Sequence, residues 1–473
     1  MLRKTVLSVI LLLGYCKVSS AQNEGTLSFM SSLPQTVYNN PAFVPRYNLS
    51  IGLPGSSVFA FYSNNSFSYN DLVKKDATGV NADLSKLYRS LRQKTYITQA
   101  LQADLLRVSA RVNARLYLTY NLTSKTYTRL MIPKDLAGIF INGTAPFIGS
   151  NATLSPSAES LAFVESALGA SYQVNKDLVI GARIKILKGF ANATVQNSTL
   201  NLAVDNDNYA LTATAGMDVR TSGVQNFTKS GFDIKNSWKD YTRNNGLGID
   251  LGATYRMMDR LTIGLSLTDI GTISWKNNTY GYSLDPNKAT YTFKGVDLNQ
   301  LVKGNNNYLN TLSDSIQNKF QPKEGNIASY RTFIPGKMYA TGMYEIRRNF
   351  TAGAVAFAEK FRGRFLAGVT LGINKHFGRR LSTAISYSMA SNSFNNFGAG
   401  FSINVPPFQI YMVGDNILGA ALGGKEINKF INNTQLFNVR TGLNLVFGWH
   451  KAGEKQSGFS PLPAYRSKRN RPN

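Results

Sequence analysis

Few side chains in this sequence have the chemistry of a catalytic centre. The chain contains two histidines, His376 and His450, and one cysteine, Cys16. Neither histidine belongs to a Cys/His cluster of the kind that binds zinc, and no glycine-rich loop followed by lysine offers a phosphate site. We therefore predict no catalytic residues, no metal site, no cofactor and no enzymatic activity.

Isolated charges on the polar faces of alternating segments are the remaining candidates: Arg183, Lys185, Asp250, Arg256 and Arg440. Small and hydroxyl residues surround them, which suits the interior of a protein better than a fully solvated surface. Buried charges need a partner of opposite sign. We predict that Asp250 and Asp269 are interior or rim groups that pair with Arg183 or Arg256, so their chemistry is ionic pairing and binding.

The segments that carry these charges have a strict period of two. From residue 247 onward, Leu247, Ile249 and Leu251 alternate with Gly248 and Asp250. The same alternation recurs at 261–268, 365–374, 381–389 and 439–447. A period of two predicts strands with one apolar and one polar face, and spans of about 9–11 residues suit a tilted crossing of a bilayer.

The composition favours a membrane barrel over a soluble protein. Charged residues make up 16% of the chain, against about 25% in soluble domains, whereas aromatic residues reach 11% and there are 40 glycines. Outer-membrane barrels have aromatic girdles and small polar residues in the lumen. A periplasmic β-sandwich would show the same alternation and stays open as the alternative.

Short and long connections alternate along the chain. The short ones are 123–125, 175–177, 257–260, 347–349, 377–380 and 406–407, and the long ones are 63–108, 133–158, 191–245, 276–330 and 415–435. Barrels have tight periplasmic turns and long outer loops, so this pattern predicts an all-β transmembrane antiparallel barrel of about fourteen strands. Leucines at helical spacing predict short helices at 82–106 and 310–320 in the outer loops.

The N-terminus has the features of a secretory signal peptide at 1–21. Arg3 and Lys4 precede an apolar run, and cleavage is predicted between Ala21 and Gln22. Cys16 would leave with this segment, so the mature chain would contain no disulfide. The protein is therefore expected in the outer membrane of a Gram-negative bacterium.

The charge of the chain predicts its general partners. The formal net charge is +26, and residues 450–473 are basic and proline-containing, which predicts a disordered periplasmic tail. An exported chain rarely meets nucleic acid, so anionic outer-membrane lipid and lipopolysaccharide are the expected partners. The tail could alternatively contact an acidic partner in the periplasm.

Several short motifs, in their order, resemble a known group of barrels. They are Asn40-Pro41-Ala42 and the segments 181–189, 248–252, 267–275 and 438–448. The chain resembles an uncharacterised Bacteroidetes-type branch of the long-chain fatty-acid transporter (FadL-like) superfamily. It also distantly resembles PorV-like barrels. The resemblance implies that residues 22–46 fold into the lumen as a plug inside a barrel at 47–449.

Two functions remain open from the sequence. The first is a plugged barrel that binds or passes a hydrophobic small molecule. The second is a structural or docking barrel that presents loops 191–245 and 276–330 to a surface or secretion-system partner.

Overall fold

The computed structural model describes residues 24–76, 79–225, 243–295, 307–361, 364–390, 393–417 and 435–449. The predicted signal peptide at 1–21, its cleavage site, Cys16, His450 and the tail at 450–473 lie outside the described residues.

Fourteen spanning strands form one closed antiparallel barrel, as predicted. They are β1 (Tyr47–Gly52) continued by β2 (Ser57–Asn64), β5 (Lys94–Arg111), β6 (Leu116–Pro133), β8 (Ser157–Gln173), β9 (Leu178–Val204), β11 (Asn244–Met258), β12 (Leu261–Trp275), β16 (Tyr330–Phe333) continued by β17 (Gly336–Arg347), β18 (Phe350–Phe361), β19 (Arg364–Phe377), β20 (Leu381–Ala390), β21 (Ser393–Val405), β22 (Phe408–Asp415) and β23 (Leu436–Trp449). The last strand closes the barrel on the first, because Trp449 lies opposite Tyr47 and Asn438 lies opposite Phe61.

Short strands and helices fill the long connections. The strands are β3 (Val73–Asp76), β4 (Gly79–Ala82), β7 (Asn151–Thr153), β10 (Leu211–Ser222), β13 (Thr279–Leu284), β14 (Thr290–Phe293) and β15 (Lys323–Asn326). The α-helices in the described ranges are Tyr69–Leu72, Leu84–Ser90, Lys134–Asn142 and Asn307–Phe320. Strand β9 continues beyond the barrel to pair with β10 and β7, which builds a sheet on the long-loop side.

The period of two places apolar side chains outside and polar ones inside. Leu247 and Leu168 are 68% and 63% exposed on the outer face, whereas Thr262 and Ser266 are buried in the interior. Every described strand of the closed barrel has a neighbour on both sides, so its peptide groups pair with those of the neighbouring strands along most of its length. A closed barrel with an apolar outer belt is the architecture of an outer-membrane β-barrel.

Two local predictions were wrong. Residues 82–106 are not one helix, because the helix ends at Ser90 and β5 begins at Lys94. The turn predicted at 123–125 lies in the middle of β6, and the chain reverses at 112–115 instead. Thr123 and Lys125 share the inward parity of Asn121 and face the polar interior, so this polar stretch resembles a turn in the sequence. The helix at 310–320 is confirmed as Asn307–Phe320.

Among the described residues, no helix has the length and apolar character needed to cross a membrane.

We predict that Leu251→Arg lowers the free energy of unfolding by about 2–4 kcal/mol, the cost of a cation on the lipid face of a barrel. Leu251 is exposed on the outer belt of β11. Urea unfolding of the protein folded into phospholipid vesicles, followed by tryptophan fluorescence, measures the change. Asn201→Arg, on the part of β9 beyond the barrel, is the matched control and should change stability by at most about 0.5 kcal/mol. Equal losses for both variants would mean that the belt does not face lipid.

Candidate functional site

Residues 24–46, called here the N-terminal segment, lie inside the barrel. The segment contains two 3₁₀ helices, Thr26–Phe29 and Pro34–Tyr38, and every residue from 24 to 45 except Ser31 is buried. Leu27, Met30 and Leu33 pack with inward-facing apolar residues of the wall. Residues of an isolated chain end would be solvated, so this burial shows that the barrel interior surrounds the segment.

Asn40, Pro41 and Ala42 rest in a shallow site that glycines leave open. Asn40 Oδ1 accepts a hydrogen bond from the Ala42 N–H at 2.8 Å, which closes a tight turn. Gly181 and Gly252 of the wall lie directly against this turn, and a Cβ atom at either position would overlap the turn. The missing side chains let two backbones approach each other, which is the usual reason for glycine inside a strand.

Serine hydroxyls of the wall bind the carbonyls of the same turn. Ser171 Oγ donates to the Pro41 carbonyl at 2.6 Å, and Ser266 Oγ donates to the Asn39 carbonyl at 2.5 Å. Bonds of this kind satisfy buried carbonyls that have no place in the strand ladder. The turn formed by the Asn-Pro-Ala motif therefore contacts four neighbouring strands of the wall: β8, β9, β11 and β12.

The first residues of the N-terminal segment are held by charges. Arg440 donates from Nε and Nη2 to the two carboxylate oxygens of Glu24, at 2.6 and 3.0 Å. The Arg440 guanidinium also lies 4.8 Å from the ring centroid of Tyr38. Nearby, the Thr26 N–H and hydroxyl both donate to Asp415 Oδ1. A bidentate arginine–carboxylate pair of this kind is geometrically specific as well as strong.

Six charged side chains from five adjacent strands form what we call the central ion cluster: Lys125, Glu165, Arg183, Lys185, Asp250 and Asp269. Arg183 Nη1 lies 2.9 Å from Asp250 Oδ2, and Lys185 Nζ lies 2.7 Å from Asp250 Oδ1. Three cations and three carboxylates balance, so no charge of the cluster is buried uncompensated.

Asp269 connects the cluster to the wall between β12 and β17. Its carboxylate lies 2.6 Å from Lys185 Nζ, 3.0 Å from Lys125 Nζ and 3.8 Å from Lys337 Nζ. Its own N–H donates to Asp250 Oδ1 at 2.7 Å. The residue has a φ of 57°, which L-residues other than asparagine and aspartate rarely adopt.

The predicted site residues thus divide into two groups. Arg183, Lys185, Asp250 and Arg440 are buried in the interior. Arg256 shares the inward parity of Asp250, but it lies near the short-turn end of β11, partly exposed and 3.8 Å from Asp177 Oδ1. The pairing of Asp250 with Arg183 is as predicted, whereas Asp269 pairs with lysines instead of with Arg183 or Arg256.

Sequence reasoning missed Lys125 and Glu165. Lys125 was assigned to a turn, although Asn121 and Thr123 share its parity and also face the interior. If the alternation of period two is continued through this polar stretch, it predicts that Lys125 faces the interior. Glu24, the partner of Arg440, precedes the first strand and carries no periodic signal.

The strand ladder is interrupted where Asp269 lies. Strand β12 pairs with β17 as far as Thr268 and with β16 from Thr272 onward, so residues 269–271 face the junction 334–336. Of the groups at this junction, the Ile334 N–H donates to the Gly271 carbonyl at 3.1 Å, and Pro335 has no N–H to donate. On both strands the alternation of inward-facing and outward-facing side chains shifts by one residue here, as it does at an inserted residue in a sheet.

A cavity of 1030 Å³ lies at this interruption and is called here the wall cavity. One part of its lining consists of outward-facing apolar side chains: Leu267, Ile270, Phe333 and Met338. Another part comes from strands on the opposite side of the interior, with Tyr96, Arg129 and Met131 on β5 and β6. Residues of both faces of the wall therefore line one cavity at the junction of β12 with β16 and β17.

Two observations concern the predictions about histidine and metal chemistry. His376 is buried on β19 beside the short turn, and its backbone N–H donates to the Asn349 carbonyl at 2.9 Å. In the part of the chain that the structure describes, no group of three or more His, Cys, Asp or Glu side chains could hold a metal ion. The predicted lack of enzymatic activity stays a prediction.

Sequence comparison assigns a family to this barrel. The model of a family of unknown function (DUF5723) matches residues 41–415, which is most of the chain. The chain belongs to the DUF5723 family. The matched region runs from Pro41 of the Asn-Pro-Ala turn to Asp415 at the end of β22, so it includes the whole central ion cluster and the wall cavity. No curated protein matches the sequence.

Solved barrels resemble this DUF5723 member in fold over most of their length. A deltaS2S3 mutant of the monoaromatic hydrocarbon channel TodX is 11% identical with a TM-score of 0.44, covering 89% of this chain and 97% of its own. A FadL homologue of Pseudomonas aeruginosa is 11% identical with a TM-score of 0.40, covering 92% and 100%. The toluene transporter TodX of Pseudomonas putida is 9% identical with a TM-score of 0.39, covering 88% and 94%. With TM-scores below 0.5, these similarities add nothing to the strand pairing that defines the fold.

For the DUF5723 barrel we predict that Asp250→Asn lowers the free energy of unfolding in vesicles by about 3–5 kcal/mol, because Arg183 and Lys185 lose a buried counter-charge. Arg256→Gln removes the half-exposed rim pair and should cost at most about 1 kcal/mol. Urea titrations of both variants beside the unchanged protein measure the difference. A loss for Asp250→Asn no larger than that for Arg256→Gln would contradict a balanced cluster.

Proposed function

We propose that this protein binds a hydrophobic small molecule in the wall cavity and passes it sideways into the membrane between β12 and β17. The observation that carries the proposal is a cavity of 1030 Å³ whose lining combines interior and lipid-facing side chains. Its volume lies at the upper end of the roughly 300–1,000 Å³ of small-molecule sites. Apolar side chains such as Met131, Leu267 and Ile334 suit an apolar ligand.

The N-terminal segment packs against the wall at the short-turn end of the interior, which favours the sideways route. At the short-turn end, Ala42 and Val44 of the N-terminal segment pack against Tyr117 and Val179 of the wall, and all four are buried. We propose that residues 22–46 act as a plug. The hydrogen bonds and glycine contacts of residues 39–42 hold this part of the segment against β8, β9, β11 and β12.

The sideways route crosses the wall where few ladder hydrogen bonds exist. Pro335 has no N–H, and the Asp269 N–H is already bonded to Asp250. A ligand between residues 269–271 and 334–336 therefore leaves few peptide groups unpaired in lipid, where each would cost several kcal/mol. Elsewhere between these strands a continuous ladder would have to break.

Filling the cavity tests the binding. We predict that Ser157→Trp weakens binding of the hydrophobic fluorophore N-phenyl-1-naphthylamine about tenfold or more, a loss of about 1.4 kcal/mol. Ser157 is half-buried at the start of β8 and lines the cavity, so an indole there occupies the ligand volume. A fluorescence titration of the purified protein in micelles gives the affinity.

Ser166→Trp is the matched control on the same strand. Ser166 faces outward, bonded to the Tyr120 hydroxyl at 3.2 Å, and lines no part of the wall cavity. Binding by this variant should equal that of the unchanged protein. Equal binding by all three proteins would refute the cavity as the binding site.

Removing the N-terminal segment tests the plug. We predict that deletion of residues 24–40 opens a water-filled path and raises single-channel conductance in planar bilayers well above that of the unchanged barrel, since a fourteen-stranded interior is too wide to be closed by wall side chains. Gly252→Val, which collides with Asn40 and Pro41, should raise it partly. Gly342→Val, which meets nothing within 4 Å, should leave it unchanged. A deleted barrel that stays closed would overturn the plug.

The docking function predicted from the sequence stays a prediction. In the described parts of 191–245 and 276–330, the chain forms the sheet of β9, β10, β13, β14 and β15 and the helix Asn307–Phe320. No contact of this sheet favours a particular partner.

A further inference from the structure

Two cations lie at the outer mouth of the wall cavity without an acidic partner. Arg331 of β16 and Lys360 of β18 are exposed, and both line the cavity. In the described ranges, neither takes part in an ion pair, whereas Lys337 beside them pairs with Asp269. Both cations are therefore available to an anionic ligand at the mouth of the cavity.

Arg331 and Lys360 lie at the height of the membrane surface, on the side of the barrel that carries the long loops. Strand β18 runs from the short turn at 348–349 toward the side of the barrel on which the long connections lie, and Lys360 is the residue before its last. Arg331 lies opposite Ser274, next to the last residue of β12. Since long loops face outward in an outer-membrane barrel, both cations lie at the level of the outer head groups.

Apolar side chains continue directly from the two cations into the belt. Phe333 is 73% exposed, and Met338 and Ile270 are also exposed on the outer face. All three line the same cavity as Arg331 and Lys360. An anionic group at the cations would therefore have an apolar groove beneath it, on the surface that lipid chains already contact.

We propose that Arg331 and Lys360 bind the phosphate groups of a lipid A-type glycolipid of the outer leaflet, with one acyl chain against Phe333 and Met338. A guanidinium matches phosphate in a bidentate way, and an ammonium group neutralises it as a point charge. The occupant is a lipid and not a soluble anion, because the apolar groove is continuous with the belt. The lipid lies on the outer face, so the inference goes beyond the proposed function and concerns a partner at the mouth of the cavity.

Native mass spectrometry of the full chain in micelles tests the inference, with bisphosphorylated lipid A as the probe. Arg331→Gln combined with Lys360→Gln should weaken lipid A binding about tenfold or more, because charge-assisted hydrogen bonds are lost. Arg379→Gln combined with Arg380→Gln removes the same charge from the exposed turn between β19 and β20 and should leave binding unchanged. Both substituted pairs are exposed, so the barrel fold is not at risk.

Three outcomes would overturn the inference. The first is an equal loss in both double variants, which indicates only general charge attraction. The second is equally tight binding of dephosphorylated lipid A, and the third is displacement of the lipid by millimolar inorganic phosphate, which indicates a site for free anions. The measurement involves no hydrophobic fluorophore, so its failure leaves the proposed binding in the cavity standing, and the reverse holds as well.

Discussion

Closure of the strand ladder is the constraint on which the rest of this structure depends. In the hydrocarbon region no water replaces a missing hydrogen bond, so each spanning strand needs a partner on both sides. Strand β23 meets this need by pairing with β22 on one side and with β1 and β2 on the other. A ring of fourteen strands then encloses a space that its own side chains do not fill. The N-terminal segment lies in this space, and wall glycines such as Gly181 and Gly252 make room for its backbone.

The interior is held by charges, and their arrangement follows from the low dielectric around them. A lone buried cation is expensive, but Arg183 and Lys185 share Asp250, and Lys125 and Lys185 share Asp269. Such a cluster contributes little net stability compared with an apolar core, yet the loss of one member leaves the others uncompensated. It links the inward faces of five adjacent strands.

The same aspartate that completes the cluster stands where the wall is weakest. Asp269 has a left-handed backbone and directs its N–H to Asp250 instead of to the neighbouring strand. Pro335 opposite has no N–H, so the interruption leaves few unsatisfied groups. The central ion cluster and the interruption of the strand ladder therefore meet at Asp269. The wall cavity and the two exposed cations at its mouth lie there.

The sequence by itself determined the class of fold, the number of strands and the face of its strand that each of the five candidate charges occupies. A period of two fixes a face whatever the register, so Arg183, Lys185, Asp250 and Arg440 were identified as interior. The strand count was correct although the first complete hairpin was misplaced, because a hairpin turning at 123–125 and one turning at 112–115 each contribute two strands. Periodicity does not give depth along the strand, which is why Arg256 was grouped with residues that lie far deeper.

Only the tertiary structure decided which charges meet and where the wall opens. Lys125 and Asp269 are 144 positions apart in the chain, and their contact depends on the register of every strand between them. The alternation of side chains shifts at Asp269 and at the junction 334–336 because these two segments lie opposite each other. No local sequence pattern predicts that pairing. A period of two describes one strand, whereas an ion cluster and a cavity are properties of strands in register.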